Sequence, residues 1–155
     1  MKRKLFDSDH DQFRDMVRKF LQEEADPHRE EWEKNGQVSR EIWRKAGELG
    51  MLCPGVPEAF GGVGADFRYN AIVVEETARC AVSGLGFGLH SDIAVPYILA
   101  YGSEEQKDRY LQGCIEGSII TAIAMTEPGT GSDLQGVKTR ATKDGNEYVL
   151  NGSKT

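Results

Sequence analysis

Residues 125–136 read Met125-Thr126-Glu127-Pro128-Gly129-Thr130-Gly131-Ser132-Asp133-Leu134-Gln135-Gly136. This stretch follows an apolar run and interrupts it, because Pro128 has no N–H and glycine adopts backbone angles that are closed to other residues. The backbone amides of Gly131, Ser132 and Asp133 are then free to point at an anion, and the Ser132 hydroxyl adds a donor. The pattern predicts a phosphate-binding loop.

Neither of the two common glycine motifs fits this loop. A dinucleotide-binding fingerprint requires a third glycine where this chain has Leu134, and a P-loop requires a lysine that does not follow Gly131. A tight turn between strands is the alternative interpretation for the two glycines alone. The complete stretch is more specific than the two glycines.

The stretch resembles the signature of the acyl-CoA dehydrogenase family, flavoenzymes that introduce a double bond at Cα–Cβ of a fatty acyl thioester. Three further segments resemble the family in the same order along the chain. They are Pro57-Glu58-Ala59-Phe60-Gly61-Gly62-Val63-Gly64-Ala65, Tyr101-Gly102-Ser103-Glu104-Glu105-Gln106-Lys107 and Asn151-Gly152-Ser153-Lys154. The amino-acid sequence of residues 122–136 is most similar to that of long-chain and bacterial members.

The resemblance implies FAD as the cofactor, along residues 123–132. Thr126 would face the pyrimidine end of the flavin, and Gly131 and Ser132 would hold the pyrophosphate. The implied cofactor-binding residues are Ile123, Ala124, Met125, Thr126, Gly131 and Ser132.

The resemblance also implies substrate contacts. Ser132 would face the thioester, and segment 85–99, with His90 and Ile93, would form one wall of the acyl-chain tunnel. Ordinary core packing explains that segment equally well. The family's catalytic glutamate is expected beyond Thr155, so no catalytic residue is assigned here.

The implied reaction moves a proton from Cα to the glutamate and a hydride from Cβ to flavin N5. Electrons would pass to an electron-transferring flavoprotein, and the acyl-CoA substrate would be one of fatty acid β-oxidation or of branched acyl breakdown. Family members are usually homotetramers or dimers. A flavin oxidase or monooxygenase of the same superfamily is one alternative, and an inactive helical binding module is another for the 155 residues alone.

Composition narrows the classes of protein. A formal net charge of −6 argues against nucleic acid as the main partner. No apolar run reaches the roughly 20 residues that span a bilayer, and no signal or transit peptide opens the chain. We expect a bacterial cytoplasmic protein, or a protein of the mitochondrial matrix after processing. Cys53, Cys80 and Cys114 lack metal-site spacing, which predicts buried free thiols and no metal.

The hydrophobic periodicity changes near Gly117 from 3.6 residues to 2. This change predicts an α+β fold, with an all-α domain over 1–117 followed by the first strands of a β-barrel-like domain over 118–155. About three strands cannot form a stable domain, so the β part is expected to be the start of a larger domain. Strands are expected at 119–125 and around a hairpin turn at 143–146.

The helical part carries clear start and stop signals. Asp7 or Ser8, Ser39 and the pair Ser103 and Gln106 are expected to cap helices, and Pro27 is expected to end or kink the first one. Segment 85–101 is apolar on nearly every face, which predicts a buried central helix. A further helix is expected from Phe67 to Val82. Its inward side is expected to carry Ala71, Val74, Ala78 and Ala81, with Ile72 and Val73 beside them.

Several polar residues are candidates for a catalytic role. Glu75 and Glu76 are adjacent on a helix, so a solvated or salt-bridged role is favoured over acid–base chemistry. Glu127 is interpreted as a carboxylate that fixes the loop rather than as the base. His90, Ser91 and Asp92 are consecutive on a helix and cannot form a catalytic relay. His10 and His28 are expected at the surface.

Overall fold

A computed structural model describes residues 4–82 and 84–155. The chain forms two compact units, one ending at Ala122 and the other running from Ile123 to Thr155. The first unit is helical and the second carries an antiparallel pair of strands, which confirms the predicted α+β class. Gly117 follows the last helix of the first unit, whereas the division between the units falls five residues later.

The helical unit alternates regular helices with short irregular turns. Its α-helices are α1 (Ser8–Phe20), α2 (Arg29–Asn35), α3 (Arg40–Glu48), α4 (Phe67–Cys80), α5 (Val95–Tyr101) and α6 (Glu104–Ile115). A π-helical segment, Leu89–Ala94, leads directly into α5, and Pro96 lies in the first turn of α5. Helix α1 packs against α4, and α5 packs against α6.

The helix starts follow the predicted capping chemistry. The Asp7 carboxylate accepts hydrogen bonds from the Asp9 and His10 amides at the start of α1. The Ser39 hydroxyl accepts from the Glu41 amide, and Ser103 forms a capping box with Gln106. These side chains satisfy amides that have no partner inside the helix.

Pro27 lies between α1 and α2 in a 3-10 turn, Asp26–His28, which follows a π-helical turn, Leu21–Ala25. Proline lacks an N–H and its ring collides with the carbonyl four residues earlier, so regular α-helical winding cannot continue through it. The predicted interruption is therefore present, and the winding changes ahead of the proline.

The predicted inward face of α4 is wrong, although Ile72 and Val73, which were expected beside it, are buried. Val74 is 45% exposed, and the buried residues of this helix are Asn70, Ile72, Val73 and Glu76. Arginines on α1 pair with Glu76 and turn its side of the helix inward. A pattern of apolar residues alone cannot detect a face that buries an ion pair.

One apolar core holds the helical unit together. Trp43 of α3 belongs to this core and makes edge-to-face contacts with Phe87, at 4.9 Å between ring centroids, and with His90, at 5.4 Å. The fully buried Leu111 and Ile72 belong to the same cluster. Burying a side chain of this size stabilises the fold by about 1.5–3 kcal/mol.

The prediction that segment 85–101 is buried on nearly every face is wrong. Leu89, Ile93 and Tyr97 are 40%, 44% and 55% exposed. Hydrophobicity reports which faces are apolar, but not which of them another element covers. Within the described residues, α5 is covered on the side that meets α6 and the core.

The strand predicted at 119–125 is absent from the described residues, because no neighbouring segment pairs with it. A strand requires a ladder partner, and alternation in the sequence does not supply one. The hairpin is confirmed: β1 (Arg140–Asp144) pairs antiparallel with β2 (Glu147–Asn151), with Gly145 at φ 58° in the turn. Every residue of both strands is exposed.

Candidate functional site

The loop of the second unit is closed by a tight turn. Glu127 and Thr130 exchange two backbone hydrogen bonds, with N–O distances of 2.9 and 3.0 Å, around Pro128 and Gly129. The Thr130 hydroxyl donates to the Gly136 carbonyl at 2.8 Å, which ties the start of the loop to its end. Thr130 is buried, so the turn is an internal support of the loop.

Glu127 fixes the loop, as predicted. Its two carboxylate oxygens accept hydrogen bonds from the Lys138 amide at 2.8 Å and from the Thr139 amide at 2.9 Å. The Lys154 ammonium lies 3.1 Å from the same carboxylate. Hydrogen bonding to Thr139 and to the Lys138 amide lowers the pKa of Glu127 to about 2. A carboxylate of such low pKa is unsuited to accept a proton near neutral pH.

The residues after β2 support the segment that enters the loop. Lys154 donates to the Met125 carbonyl at 3.0 Å, and the Thr155 amide donates to the Thr126 carbonyl at 3.0 Å. The Thr126 N–H and hydroxyl take part in no hydrogen bond within 4–82 and 84–155. Thr126 therefore has its carbonyl fixed and its donors available.

Three consecutive amides of the loop are available to a ligand. The N–H groups of Gly131, Ser132 and Asp133 donate to no acceptor in the described part of the chain. Gly131 and Ser132 are exposed, and a Cβ placed on Gly131 would meet no atom within 4 Å. Asp133 accepts from the Gln135 amide at 3.1 Å, which holds its carboxylate on its own turn. Successive free amides suit the oxygens of a phosphate.

The predicted cofactor contacts lie together in the second unit. Ala124, Met125 and Thr126 are exposed, and Ile123 is half-buried. Together with Gly131 and Ser132, they form an open backbone edge followed by an amide-rich turn. Their role as cofactor contacts stays a prediction, and so does the substrate contact of Ser132.

His90 and Ile93 belong to the helical unit and have different surroundings. His90 is fully buried, and its Nε2 donates to the Cys114 carbonyl at 3.0 Å. Its Nδ1 therefore accepts from the Thr121 amide at 3.2 Å. Burial lowers the pKa of His90, which favours this neutral form. Ile93 is half-exposed, and the substrate contact of both residues stays a prediction.

The three consecutive polar residues do not form a relay. Ser91 accepts a hydrogen bond from the Cys53 amide at 3.0 Å, and Asp92 accepts one from Asn70. His90 binds neither of them. The prediction that these side chains point in different directions is confirmed.

Glu76 has a salt-bridged role and is 2% exposed. Arg14 and Arg18 lie 2.8 and 2.9 Å from its carboxylate oxygens. Burial opposes its ionisation, but hydrogen bonds from Arg18 and Arg14 outweigh this effect and lower the pKa of Glu76. Arg14 also lies 2.8 Å from Glu75, so both glutamates are committed to ion pairs.

The prediction that His10 lies at the surface is wrong, since its side chain is almost fully buried. Its ring lies against Tyr69, at 4.5 Å between centroids, and its Nδ1 lies 2.6 Å from Asp7. The packing of α1 against α4 covers it. His28 is exposed as predicted. Among the thiols, Cys53 and Cys114 are buried as predicted, whereas Cys80 is only half-buried. Burial raises the pKa values of Cys53 and Cys114 to about 12 and about 11.

Sequence reasoning missed several supports of the loop. Thr130 reads as an ordinary turn residue, and the amides of Lys138 and Thr139 lie eleven and twelve residues after the carboxylate that they bind. Lys154 belongs to the segment 151–154, which lies far from Glu127 in the sequence. An acid in the glycine-rich loop, followed by a lysine after a predicted hairpin, is the signal that the sequence offers.

The described residues contain no group of three or more histidine, cysteine, aspartate or glutamate residues placed to hold a metal ion. No helix within 4–82 and 84–155 has both the length and the apolar character needed to cross a membrane.

Comparison with known proteins identifies the class of this fold and loop. Residues 7–118 match the model of the acyl-CoA dehydrogenase N-terminal domain, and residues 122–155 match that of the acyl-CoA dehydrogenase middle domain. These matches cover most of the chain, which therefore belongs to the acyl-CoA dehydrogenase family.

Individual relatives agree with the family. The mitochondrial long-chain specific acyl-CoA dehydrogenase of Sus scrofa is 57% identical over 152 residues, which are 98% of this chain and 35% of that protein. An acyl-CoA dehydrogenase structure from Geobacillus kaustophilus has a TM-score of 0.93 and 50% identity, and covers 99% of this chain and 40% of its own.

A second structure, from Bacillus anthracis, is of an acyl-CoA dehydrogenase complexed with FAD. Its TM-score is 0.89 at 36% identity, and the match covers 99% of this chain and 27% of that one. This chain thus spans about a third of the length of the curated relative from Sus scrofa.

Proposed function

We propose that the protein containing this chain is a flavin-dependent acyl-CoA dehydrogenase acting in fatty acid β-oxidation, with FAD held along residues 123–132. The observation that carries the proposal is the row of three free amides at Gly131, Ser132 and Asp133. It lies in a chain of the acyl-CoA dehydrogenase family, and one similar structure is a complex with FAD.

The loop fits a pyrophosphate in its chemistry and its space. Three N–H groups and the Ser132 hydroxyl can donate to phosphate oxygens. The absence of a side chain at Gly131 leaves room for close approach, because nothing in the described chain fills that space. Glu127 and Thr130 hold the loop in shape before any ligand binds, which lowers the cost of binding.

Thr126 is proposed to contact the pyrimidine end of the flavin. Its carbonyl is held by the Thr155 amide at 3.0 Å, and its own N–H and hydroxyl have no hydrogen-bond partner among the described residues. Donors fixed beforehand stabilise negative charge on a bound group. When bound, FAD supplies the hydride acceptor for Cβ of the thioester. The base that takes the Cα proton is expected outside these 155 residues.

The remaining assignments rest on the family. We propose that Ser132 contacts the thioester, that Ile93 and the segment carrying His90 contribute to the acyl wall, and that the protein forms a homo-oligomer. We propose an electron-transferring flavoprotein as the electron acceptor. The relative from Sus scrofa is named mitochondrial, which supports localisation in the mitochondrial matrix. The similar structure from Geobacillus kaustophilus supports the alternative, a bacterial cytoplasmic protein.

The proposed phosphate-binding role of the loop is tested by introducing a carboxylate at Gly131. In the complete protein, Gly131→Asp should abolish flavin binding, because its carboxylate meets the phosphate and occupies the space beside the amides. Gly131→Asn has the same shape without the charge and should retain more flavin. Bound flavin is measured from the visible absorption of the purified variants. Normal flavin content in Gly131→Asp would contradict the assignment.

The reaction is tested with acyl-CoA substrates of increasing chain length and a dye as electron acceptor. Bleaching of the bound flavin by acyl-CoA, with slow reoxidation by oxygen, supports a dehydrogenase. Rapid reoxidation by oxygen would favour the oxidase or monooxygenase alternative. No bleaching by any acyl-CoA would contradict the proposed function.

A further inference from the structure

One lysine side chain joins two parts of the candidate site. The Lys154 ammonium donates to the Met125 carbonyl at 3.0 Å and lies 3.1 Å from the Glu127 carboxylate. Met125 belongs to the backbone edge that enters the loop, whereas Glu127 holds the loop itself through two backbone amides. Lys154 therefore links the edge to the loop that carries the free amides of residues 131–133.

The edge depends on Lys154 more than the loop does. In the described part of the chain, the Met125 carbonyl accepts a hydrogen bond from no other donor. Glu127 has further supports: two backbone amides donate to its carboxylate at 2.8 and 2.9 Å, and its own backbone exchanges two hydrogen bonds with Thr130. Loss of the lysine would free the edge and leave most supports of the loop in place.

The Met125 carbonyl matters because of the donor on the other side of its peptide bond. The peptide unit between Met125 and Thr126 is planar and trans, so its C=O and its N–H point in opposite directions from one rigid plane. By holding the carbonyl oxygen, Lys154 fixes the direction of the Thr126 N–H. That N–H has no partner among residues 4–82 and 84–155. The lysine thus aims an unused donor away from itself.

The hairpin brings Lys154 to this place. In the antiparallel pair, the end of β2 lies beside the start of β1. Gly152, directly after β2, passes so close to Thr139 that a Cβ on it would collide with the Thr139 hydroxyl. The Thr139 amide binds Glu127, and Lys154, two residues after Gly152, reaches the same carboxylate. Strands β1 and β2 therefore contribute to the site although they are exposed along their whole length.

A cation suits this position better than a neutral side chain. The Glu127 side chain is only 6% exposed, and Lys154 is the one cation within 4.0 Å of it among the described residues. A buried carboxylate without a compensating charge is costly. The ammonium has enough donors to bind this carboxylate and the Met125 carbonyl at the same time.

We propose that Lys154 is a positioning residue for FAD, which keeps the Thr126 N–H in register with the free amides of residues 131–133 so that the flavin ring and the pyrophosphate bind together. This role rests on the proposed function, which assigns Thr126 to the ring and the loop to the pyrophosphate. Fixing both groups of donors before binding lowers the cost of binding a ligand that spans them.

Two ligands separate the edge from the loop. The complete protein, freed of flavin, is titrated with FAD and with ADP, which carries the pyrophosphate but no flavin ring. Lys154→Met should weaken FAD binding about tenfold, the scale of one hydrogen bond with a charged partner, and change ADP binding by less than about twofold. Lys154→Arg keeps the charge and several donors and should restore most of the FAD affinity. Lys143→Met, which removes an exposed lysine of β1, is the matched control and should leave both affinities unchanged.

The reduction potential of the bound flavin supplies a readout that a purely structural role would not change. It is measured at saturating FAD, so that weaker binding does not affect it. A fixed Thr126 N–H stabilises negative charge on the reduced flavin, so the potential should fall in Lys154→Met. It should stay near its original value in Lys154→Arg and Lys143→Met.

Equal losses of FAD and ADP affinity in Lys154→Met, or an unchanged potential, would overturn the inference, since the lysine would then only stabilise the loop. If the unchanged protein still binds FAD and oxidises acyl-CoA, these results leave the proposed function standing. An unchanged protein that binds no FAD would refute the proposed function and the role of Lys154 together.

Discussion

At the scale of single residues, Glu127 shows how a carboxylate can belong to a functional loop without taking part in proton transfer. Two backbone amides and Lys154 satisfy its oxygens. Glu127→Gln replaces one accepting oxygen with an amide group that faces a backbone N–H, so the loop should loosen. We expect the complete protein to bind FAD more weakly and to regain its full kcat when FAD is added in excess. Flavin titration followed by kcat measurement checks this.

The same residue predicts a dependence on pH. The pKa of Glu127 is about 2 in the folded chain, against an ordinary value of 4.5. Its contribution to loop stability is therefore complete above pH 4.5 and is lost as the pH falls from there towards 2. Flavin release over this interval should be weaker in Glu127→Gln, which has no proton to bind. A kcat that stays low with excess FAD would instead identify Glu127 as a catalytic group.

Three buried or half-buried acids in this chain have three different surroundings. Glu76 meets Arg14 and Arg18, so its burial is compensated by charge and hydrogen bonds. Glu127 meets backbone amides, and Asp92 meets one side-chain amide. A buried charge with few partners is the costly case, so Asp92 is the least compensated of the three acids.

At the scale of elements, α3 and α6 approach closely enough to exclude a methyl group. A Cβ on Gly47 of α3 would lie 2.5 Å from the Glu116 backbone carbon and 2.7 Å from the Ile115 carbonyl oxygen. In an isolated helix, Gly→Ala stabilises by about 1 kcal/mol. Here the contact reverses the sign, and Gly47→Ala should destabilise by about 1–3 kcal/mol as the helices separate. The shift of the urea midpoint measures this change.

A control for this prediction is Gly129→Ala. Gly129 has no atom within 4 Å of an added Cβ, so this substitution should leave the free energy of unfolding by urea unchanged within about 0.5 kcal/mol. Equal midpoints for Gly47→Ala and Gly129→Ala would show that α3 and α6 are not in close contact in solution.

The elements also show which information a single sequence holds. Helix starts at Ser39 and Ser103 were predicted correctly because a cap depends on residues within one turn. The inward face of α4 and the absence of a strand at 119–125 were not predicted correctly, because each depends on a segment distant in sequence. Arg14 and Arg18 of α1 bury Glu76, which apolar periodicity cannot indicate. The burial of His10 likewise depends on α4, which is distant in sequence.

The features of the candidate site also fall into two groups, those that local sequence predicts and those that depend on the tertiary structure. The glycines and the free amides of 131–133 follow from local sequence, and so does the interpretation of Glu127 as a structural carboxylate. The identity of its partners, the role of Thr130 and the contacts of Lys154 require the tertiary structure. Family resemblance added the cofactor and the reaction, which backbone chemistry alone could not name.

At the scale of the whole molecule, the two units differ in how much surface they bury. The helical unit has an apolar core with fully buried residues such as Phe87 and Leu111, whereas every residue of β1 and β2 is exposed. Tyr148 and Leu150 of β2 are 70% and 71% exposed. An isolated two-stranded hairpin is at best marginally stable in water.

Hydrogen exchange should therefore separate the two units in the 155-residue chain. We expect amides of α4 and α6 to be protected by the core, and amides of β1 and β2 to exchange at nearly the rate of an unfolded chain. The same chain should bind no flavin, because marginal strands cannot hold the loop of residues 125–136 in place. In the complete protein, where further chain can cover both faces of the hairpin, β1 and β2 should become protected. Mass-spectrometric exchange on both proteins provides the comparison. Strong protection of β2 in the 155-residue chain, or a yellow chain that oxidises acyl-CoA, would contradict this prediction.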